Sequence, residues 1–326
     1  MRQALEHEGL RPLLEAHGFA PERFEGIPTG KHNDSFFVTL DDGREVVLRI
    51  APPDDAGFLF YERRMMAQEP GLHRLLREKT SIPVAEVLLY DDSRGLIDRD
   101  LLIMARLPGA AMSDVSLAPS KADRVLEQVG RHLRELHDTC QETRYGYLGE
   151  HHPMEPAGSW VEAFRTMWSL LVEDIRACGA YDADEAKAVR EALTPHLKLF
   201  DREVPSCLLH MDIWAQNILV DGEGNVTGIV DWDRALWGDV EIEFAVLDYC
   251  GISEPAFWRG YGRERDASPA ARIRHAFYYL YELQKYIVIR MLRSRRRSDA
   301  LAYKAHALRL LDRLSTGRAS NVKGEA

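Results

Sequence analysis

The chain has 326 residues, 42 of them basic and 52 acidic, for a formal net charge of −10 at pH 7; 45% are hydrophobic and 29% charged. That balance belongs to a folded globular protein and excludes wholesale disorder or a fibrous repeat, and the length suggests about two domains. The acidic balance argues against non-specific nucleic-acid binding, which needs a basic footprint. No stretch approaches the roughly 18 apolar residues of a membrane-spanning helix.

In chain order, Leu5, Leu10, Leu13 and Leu14 fall near helical spacing, and Gly18 is a stop signal. Ser35–Leu40 and Glu45–Ile50 are β-rich runs around Asp41-Asp42-Gly43, which predicts a hairpin ended by Pro52 and Pro53. Phe58 to Lys79 reads as helix, interrupted at Pro70-Gly71. Ile82–Tyr90 and Leu101–Met104 are further strands, and the composition changes at the loop beginning with Leu107. The remainder reads as mainly helical. Val125, Val129, Leu133 and Leu136 share one helix face. Further helices are expected over Trp160–Arg176, Ala183–Leu199 and from Pro255 to about Leu314, with one β island at Ile218–Asp221 and Val226–Asp231.

Cys140, Cys178, Cys207 and Cys250 lie tens of residues apart, which rules out zinc-knuckle or CxxC spacing and fits reduced thiols. The N-terminus lacks a secretory apolar core, so a cytoplasmic protein is expected.

One segment carries chemistry. His210-Met211-Asp212 is followed five residues after the Asp by Asn217, then by a short hairpin that ends in Asp231-Trp232-Asp233. Phosphoryl transfer needs a carboxylate that receives or orients the proton of an attacking hydroxyl, and oxygen ligands that hold Mg²⁺ on the phosphates. Asp212 and Asn217 on one loop can face a common cleft, and the hairpin returns Asp231 to it. The competing reading makes these residues turn caps and His210 a core histidine.

The segment from His210 to Ala245 resembles the catalytic region of the aminoglycoside phosphotransferase family, whose pattern is HGDxxxxNxL followed by IDWxxAxxGDPxxDLA. The resemblance extends from about Ile27 to Tyr261. It implies an α+β, two-lobed protein-kinase-like fold: a small antiparallel β-sheet N-lobe over residues 1–106 that binds nucleotide, and a larger, mainly helical C-lobe over residues 107–326 that carries catalysis and substrate. It implies Asp212 as the catalytic carboxylate and Asn217 and Asp231 as Mg²⁺ ligands. His210 would support the loop, and Asp239 would order the lobe. Met211 stands where glycine is common, Val240 replaces a proline and Glu243 an aspartate; Met211 could crowd the cleft.

By the same resemblance, the loop Thr29–Ser35, with Gly30, Asn33 and Ser35, is similar to the family's nucleotide loop. Arg49 stands at the phosphate-contacting position usually held by lysine; arginine keeps the charge and can clamp phosphate oxygens with two nitrogens. Glu69 is the favoured partner for Arg49, with Glu62 its rival. Met104 and Arg106 lie in a segment similar to the linker that offers backbone groups to the base.

Asp233 sits two residues beyond Asp231 and could assist the metal, meet the acceptor or be structural. Glu241 and Glu243 could hold a cationic acceptor or simply occupy a helix face. The Arg293–Arg297 run reads as a solvated helix end, and the aromatic cluster from Phe277 to Tyr286 as core packing. His151 and His152 with Glu155 lack metal-site spacing because Pro153 intervenes.

The expected activity is transfer of phosphate from Mg·ATP, or GTP, to a hydroxyl of a small molecule, either an antibiotic or a hydroxylated metabolite. A cationic acceptor is favoured slightly by the net charge, and the oligomeric state is open. The alternatives are a non-catalytic nucleotide-binding regulator and, less favoured, a protein kinase, for which no APE-type segment follows Asp231.

Overall fold

A computed structural model of the protein describes residues 7–28, 32–54 and 57–316. Helix α1 (His7–Glu15) places Leu10, Leu13 and Leu14 against a sheet, and the chain leaves it through Gly18 at φ +80°. Strands β1 (Pro21–Gly26), β2 (Asp34–Leu40) and β3 (Glu45–Ile50) follow. The β2–β3 turn needs a left-handed residue, which Gly43 supplies at φ +83°. After helix α2 (Glu69–Lys79) come β4 (Val87–Asp91) and β5 (Leu101–Ala105). The sheet order is β1-β2-β3-β5-β4, antiparallel throughout. Alternate residues Phe36, Val38 and Leu40 of β2 and Val46, Leu48 and Ile50 of β3 are buried with the leucines of α1, the two-residue period of a half-buried sheet.

Two expectations shift here. The sequence gives no hint of β1, because Pro21-Glu-Arg-Phe-Glu-Gly26 is a polar edge strand. The Pro70-Gly71 pair does not interrupt a long helix. It begins one, since proline in the first turn forfeits no hydrogen bond, and a 3₁₀ turn at Met65–Gln68 leads into it.

Past Leu107 the chain is mainly helical. A short β6 (Ala110–Ala111) precedes α3 (Pro119–Thr139) and β7 (Gln141–Glu142). Then come α4 (Trp160–Ala177), α5 (Ala183–Ala192) and α6 (Leu197–Phe200). Strands β8 (Ser206–Leu209), β9 (Ile218–Val220), β10 (Val226–Ile229) and β11 (Leu236–Gly238) follow. Helices α7 (Val240–Tyr249), α8 (Pro255–Tyr261), α9 (Pro269–Val288) and α10 (Arg297–Ser315) complete the described chain. The strands form two small sheets, β10-β9-β6 and β11-β8-β7. None of the described helices is long and apolar enough to cross a membrane.

One core cluster centres on Trp160, Phe164 and Trp168 of α4 against Phe277, Tyr278 and Tyr281 of α9. Each such side chain contributes about 1.5–3 kcal/mol on full burial. A second joins α3 (Val125, Val129, Leu133) to Leu208, Ile218 and Trp232. Where α3 crosses α8 the backbones touch: a Cβ on Gly260 would lie 1.9 Å from the Glu127 carbonyl oxygen, so only glycine fits. The N-terminal sheet is anchored to this body. Leu72 and Leu76 of α2 join the second cluster, and Leu59 and Tyr61 join the first.

Candidate active site

The loop after β8 is fixed atom by atom. The His210 Nε2–H donates to the Val230 carbonyl at 3.0 Å, and its Nδ1 accepts from the Asp212 amide at 3.2 Å. Burial lowers the pKa of His210, so the neutral ring suits both bonds. Met211 is left-handed at φ +65°, which explains why glycine suits this position. Its N–H donates to Glu243 Oε1 at 2.8 Å, and its carbonyl accepts from Arg234 Nη1 at 2.6 Å. Its side chain is fully buried in the core, so the expected crowding of the cleft does not occur. Asn217 Nδ2 donates to the Asp212 carbonyl at 2.9 Å and to Asp212 Oδ2 at 3.2 Å, leaving its own carbonyl oxygen outside these bonds.

The β9–β10 hairpin brings Asp231 back to this loop. The Val230 N–H donates to the Asn217 carbonyl at 3.0 Å, and Ile229 pairs with Ile218. Asp231 itself is left-handed at φ +70°.

Arg49 of β3 meets the hairpin from the sheet. Its Nη1 donates to both oxygens of Glu69, at 2.8 and 2.6 Å, and its Nη2 to Asp231 Oδ1 at 2.6 Å and Asp233 Oδ2 at 2.9 Å. Between the two candidates, α2 supplies Glu69; Glu62 pairs instead with Arg293 at 2.7 Å. Burial alone would raise the pKa of Glu69, but the Arg49 charge and His73 hold it below the usual carboxylate range. Burial alone would discharge Arg49, but Glu69, Asp231 and Asp233 keep it protonated. Burial, with Asp231 beside it, pushes Asp233 well above its ordinary value in spite of Arg49.

The nucleotide-loop candidates are placed in part. Asn33 is buried, and its Nδ2 donates to Asp233 Oδ2 at 3.2 Å. Ser35 lies directly across the β2–β3 ladder from Arg49. Gly30 lies outside the described residues. Met104 packs with Met66, Ala85 and Leu102. Arg106 lies 3.9 Å over the Phe37 ring and donates to Glu45 at 3.0 Å, so its side chain is spent within the sheet.

The acids expected to face an acceptor are turned inward. Glu243, at 0% exposure, accepts from Met211 and meets His137 Nε2 at 2.7 Å, while His137 Nδ1 meets Tyr261 Oη at 2.9 Å. Glu241 is clasped by Arg274 at 2.7 and 2.8 Å and by Arg202 at 2.9 Å. Asp233 is held by Arg49 and Asn33. Asp239 caps α7 and accepts from Tyr278 Oη at 3.0 Å. The arginine run is only partly solvated. Arg293 bonds Glu62 and lies 3.0 Å from His32 Nδ1, tying the C-terminal region to the N-terminal lobe. Tyr286 also departs from pure core packing, stacking half-buried between Tyr249 and Tyr303.

Sequence reasoning missed Arg234, Glu282, Lys285, Gln68 and His137. Arg234 Nη2 and Lys285 Nζ both reach Glu282, at 2.7 and 2.6 Å, and each cation lies 3.7 Å from Asp212 Oδ1. Gln68 Nε2 donates to the Asp233 carbonyl. The available signals were Arg234 three residues past Asp231, and two opposite charges, Glu282 and Lys285, within the aromatic stretch Phe277–Tyr286.

The arrangement offers an outward carboxylate at Asp212, oxygen donors at Asn217 and Asp231, and a fixed cation opposite them. Among the described residues no cluster of three or more His, Cys, Asp or Glu side chains could hold a metal alone. Two oxygen donors nevertheless suit Mg²⁺ carried in on a nucleotide, which keeps water and phosphate in its remaining positions.

This sheet-over-helices body with a carboxylate loop and a returning Asp hairpin is a two-lobed, kinase-like phosphotransferase fold. The chain belongs to the phosphotransferase enzyme family, APH, which it matches over residues 23–286. It is 27% identical over 186 residues to the viomycin phosphotransferase of Streptomyces vinaceus, a match that covers 55% of this chain and 61% of that protein, so the chain spans less than two thirds of this relative's length. Its fold is similar to the crystal structure of aminoglycoside phosphotransferase APH(4)-Ia, with a TM-score of 0.67 and 18% identity, covering 97% of this chain and 100% of the other. It is also similar to the gentamicin complex of APH(2″)-IIa, with a TM-score of 0.63 and 17% identity over 94% and 96% of the two chains.

Proposed function

We propose that this protein transfers the γ-phosphoryl group of ATP, or of GTP, to a hydroxyl of a small molecule. The observation that carries this reading is the convergence of Asp212, Asn217 and Asp231 on one loop-and-hairpin unit, facing the Arg49–Glu69 pair. Arg49 holds phosphate oxygens, and Glu69, fully buried and ionised, fixes its guanidinium. Asn217 and Asp231 would bind Mg²⁺, whose charge offsets that of the phosphates. Asp212 accepts a hydrogen bond from the acceptor hydroxyl, aligns the oxygen and receives its proton as the phosphate ester forms. His210, Glu243 and Arg234 hold the backbone leading into Asp212, and Asn217 holds its carbonyl. Most of the rate enhancement is then positioning and electrostatics. Asn33 and Ser35 border the phosphates, and the backbone around Met104 and Arg106 meets the base.

The acceptor class stays broad, from antibiotic to hydroxylated metabolite. Glu241 and Glu243 are already engaged within the fold, by Arg274 and His137, so a cationic acceptor would have to meet other acids. The four unpaired cysteines and the need for ATP favour a cytoplasmic protein.

The test is ADP formation from Mg·ATP across aminoglycosides, peptide antibiotics, amino sugars, choline-like alcohols and glycated amines, with Asp212→Asn in parallel. Acceptor-dependent ADP that the variant loses, with ATP binding retained, is the expected result. Nucleotide binding with no Asp212-dependent turnover on any acceptor would count against it.

A further inference from the structure

Helix α9 is unusual in what it buries. Among its aromatic and aliphatic residues lie Glu282 at 0% exposure and Lys285 at 5%. Buried ion pairs are seldom more stabilising than hydrophobic residues of the same size, so stability alone does not account for them. Their geometry does. Lys285 Nζ pairs ionically with Glu282 Oε1 at 2.6 Å, lies 4.9 Å from the Tyr286 ring centroid and sits 3.7 Å from Asp212 Oδ1. Arg234 occupies the mirror position, on Glu282 Oε2 and 3.7 Å from the same Asp212 oxygen. Two carboxylates and two cations form a tetrad. Its side chains are at most 7% exposed except Asp212, at 27%, the one member that opens outward.

The two cations differ in what else they do. Arg234 also donates to the Met211 carbonyl, so its removal would disturb the loop backbone. Lys285 makes no such bond. Among the described residues the carboxylates within 4 Å of its ammonium are those of Glu282 and Asp212. The mechanism above leaves Lys285 unused, although an ammonium beside Asp212 would lie close to where the acceptor oxygen and the incoming phosphoryl group meet.

We propose that Lys285 is a positioning residue for phosphoryl transfer, reaching from α9 to hold Asp212 Oδ1 so that the carboxylate presents a fixed edge to the acceptor hydroxyl. The proposal rests on the phosphotransferase reading above. Its role is separate from neutralising Glu282, and that separation makes it testable.

The informative variant is the double substitution Lys285→Met with Glu282→Gln, which removes one charge of each sign and keeps the packing volume. It should unfold within a few degrees of the parent protein and bind ATP with unchanged affinity. Its kcat should fall by about 10- to 100-fold, at the low end of what removing one charge-stabilising donor does, with KM for ATP and acceptor changed less than threefold. Lys285→Arg should recover most of that loss. If the double variant does not fold, Lys285→Arg and Lys285→Gln are compared directly, and kcat should be at least tenfold lower for Gln. A folded double variant with kcat within twofold of the parent would overturn the proposal and leave Lys285 as the counter-charge of Glu282. So would equal kcat for the Arg and Gln variants. Absence of any Asp212-dependent turnover in the parent protein would instead overturn the phosphotransferase reading, and the role of Lys285 with it.

Discussion

Replacing Glu243 tests how the catalytic loop is held. Its carboxylate accepts from the Met211 amide at 2.8 Å and pairs with His137 at 2.7 Å, with no solvent access. Glu243→Ala strands both partners. Each of the two buried groups left unsatisfied costs about 1–3 kcal/mol, or about 2–6 kcal/mol together. A loss of that size is therefore expected at pH 7. Glu243→Gln keeps an oxygen for Met211, and a tautomer change lets His137 accept from the new amide, so about 1–2 kcal/mol is expected. Burial alone would raise Glu243, but His137 and the Met211 amide hold it below the usual carboxylate range. A depressed carboxylate stabilises above its unfolded-state pKa and loses that contribution as pH falls through its folded value. The stability gap between the parent protein and Glu243→Gln should thus be full at pH 7 and narrow below about pH 4.3. Denaturant unfolding at several pH values measures it, with kcat followed alongside, because Asp212 is the next residue in the loop. A cost below 1 kcal/mol for Glu243→Ala, or a gap indifferent to pH, would refute the assigned pairing.

Other substitutions probe different parts of the same frame. Met211→Gly should be less destabilising than Met211→Ala by about 0.5–1 kcal/mol, the reverse of the usual order, because only glycine adopts φ +65° without strain; thermal unfolding of the two variants decides it. Arg49→Ala leaves the buried Glu69 carboxylate with only His73 at 3.6 Å, so about 3–5 kcal/mol of stability should be lost. Arg49→Lys should fold better but bind nucleotide more weakly, since one ammonium must divide its donors between Glu69 and the phosphates where the guanidinium gives each a separate nitrogen; calorimetric titration with Mg·ATP tests this. Asp174 is raised from 3.8 to about 6, chiefly by burial, although its Oδ2 accepts from the Phe60 amide at 2.7 Å. Its ionised form is therefore disfavoured in the folded protein at pH 7. Asp174→Asn should stabilise there by about 1–2 kcal/mol, allowing for partial solvent screening, and the advantage should fade as pH falls from 6 towards 4.

The parts of the site legible in the sequence are those encoded by local spacing. Asp212, Asn217 and Asp231 sit on one loop and one hairpin, so their relative placement follows from turn geometry within about 20 residues. The acids left open between an acceptor and a helix face show the converse. Nothing near Glu243 or Glu241 in the chain reveals that His137 and Arg274, about 106 and 33 residues distant, consume their charge. Strand β1 was hidden because an edge strand can be polar on both faces. The helix at Glu69 was misplaced because a proline looks alike from sequence whether it breaks a helix or opens one.

The same contrast bears on the arginine at position 49. A lysine ammonium is a single point, whereas the Arg49 guanidinium has two ends with different partners. Nη1 is closed on Glu69, which ties β3 to α2 within the N-terminal lobe. Nη2 is closed on Asp231 and Asp233, which ties that lobe to the hairpin carrying the proposed metal ligand. The first contact is buried on both sides, while Asp231 remains 39% exposed on its side of the second. On the proposed reading, phosphate oxygens would exchange with the carboxylates on Nη2 without disturbing the Nη1–Glu69 bond. The Nη1–Glu69 bond fixes the orientation of the cation, and the lobe-to-lobe contact uses Nη2, the nitrogen that the proposed reading would give to nucleotide phosphates.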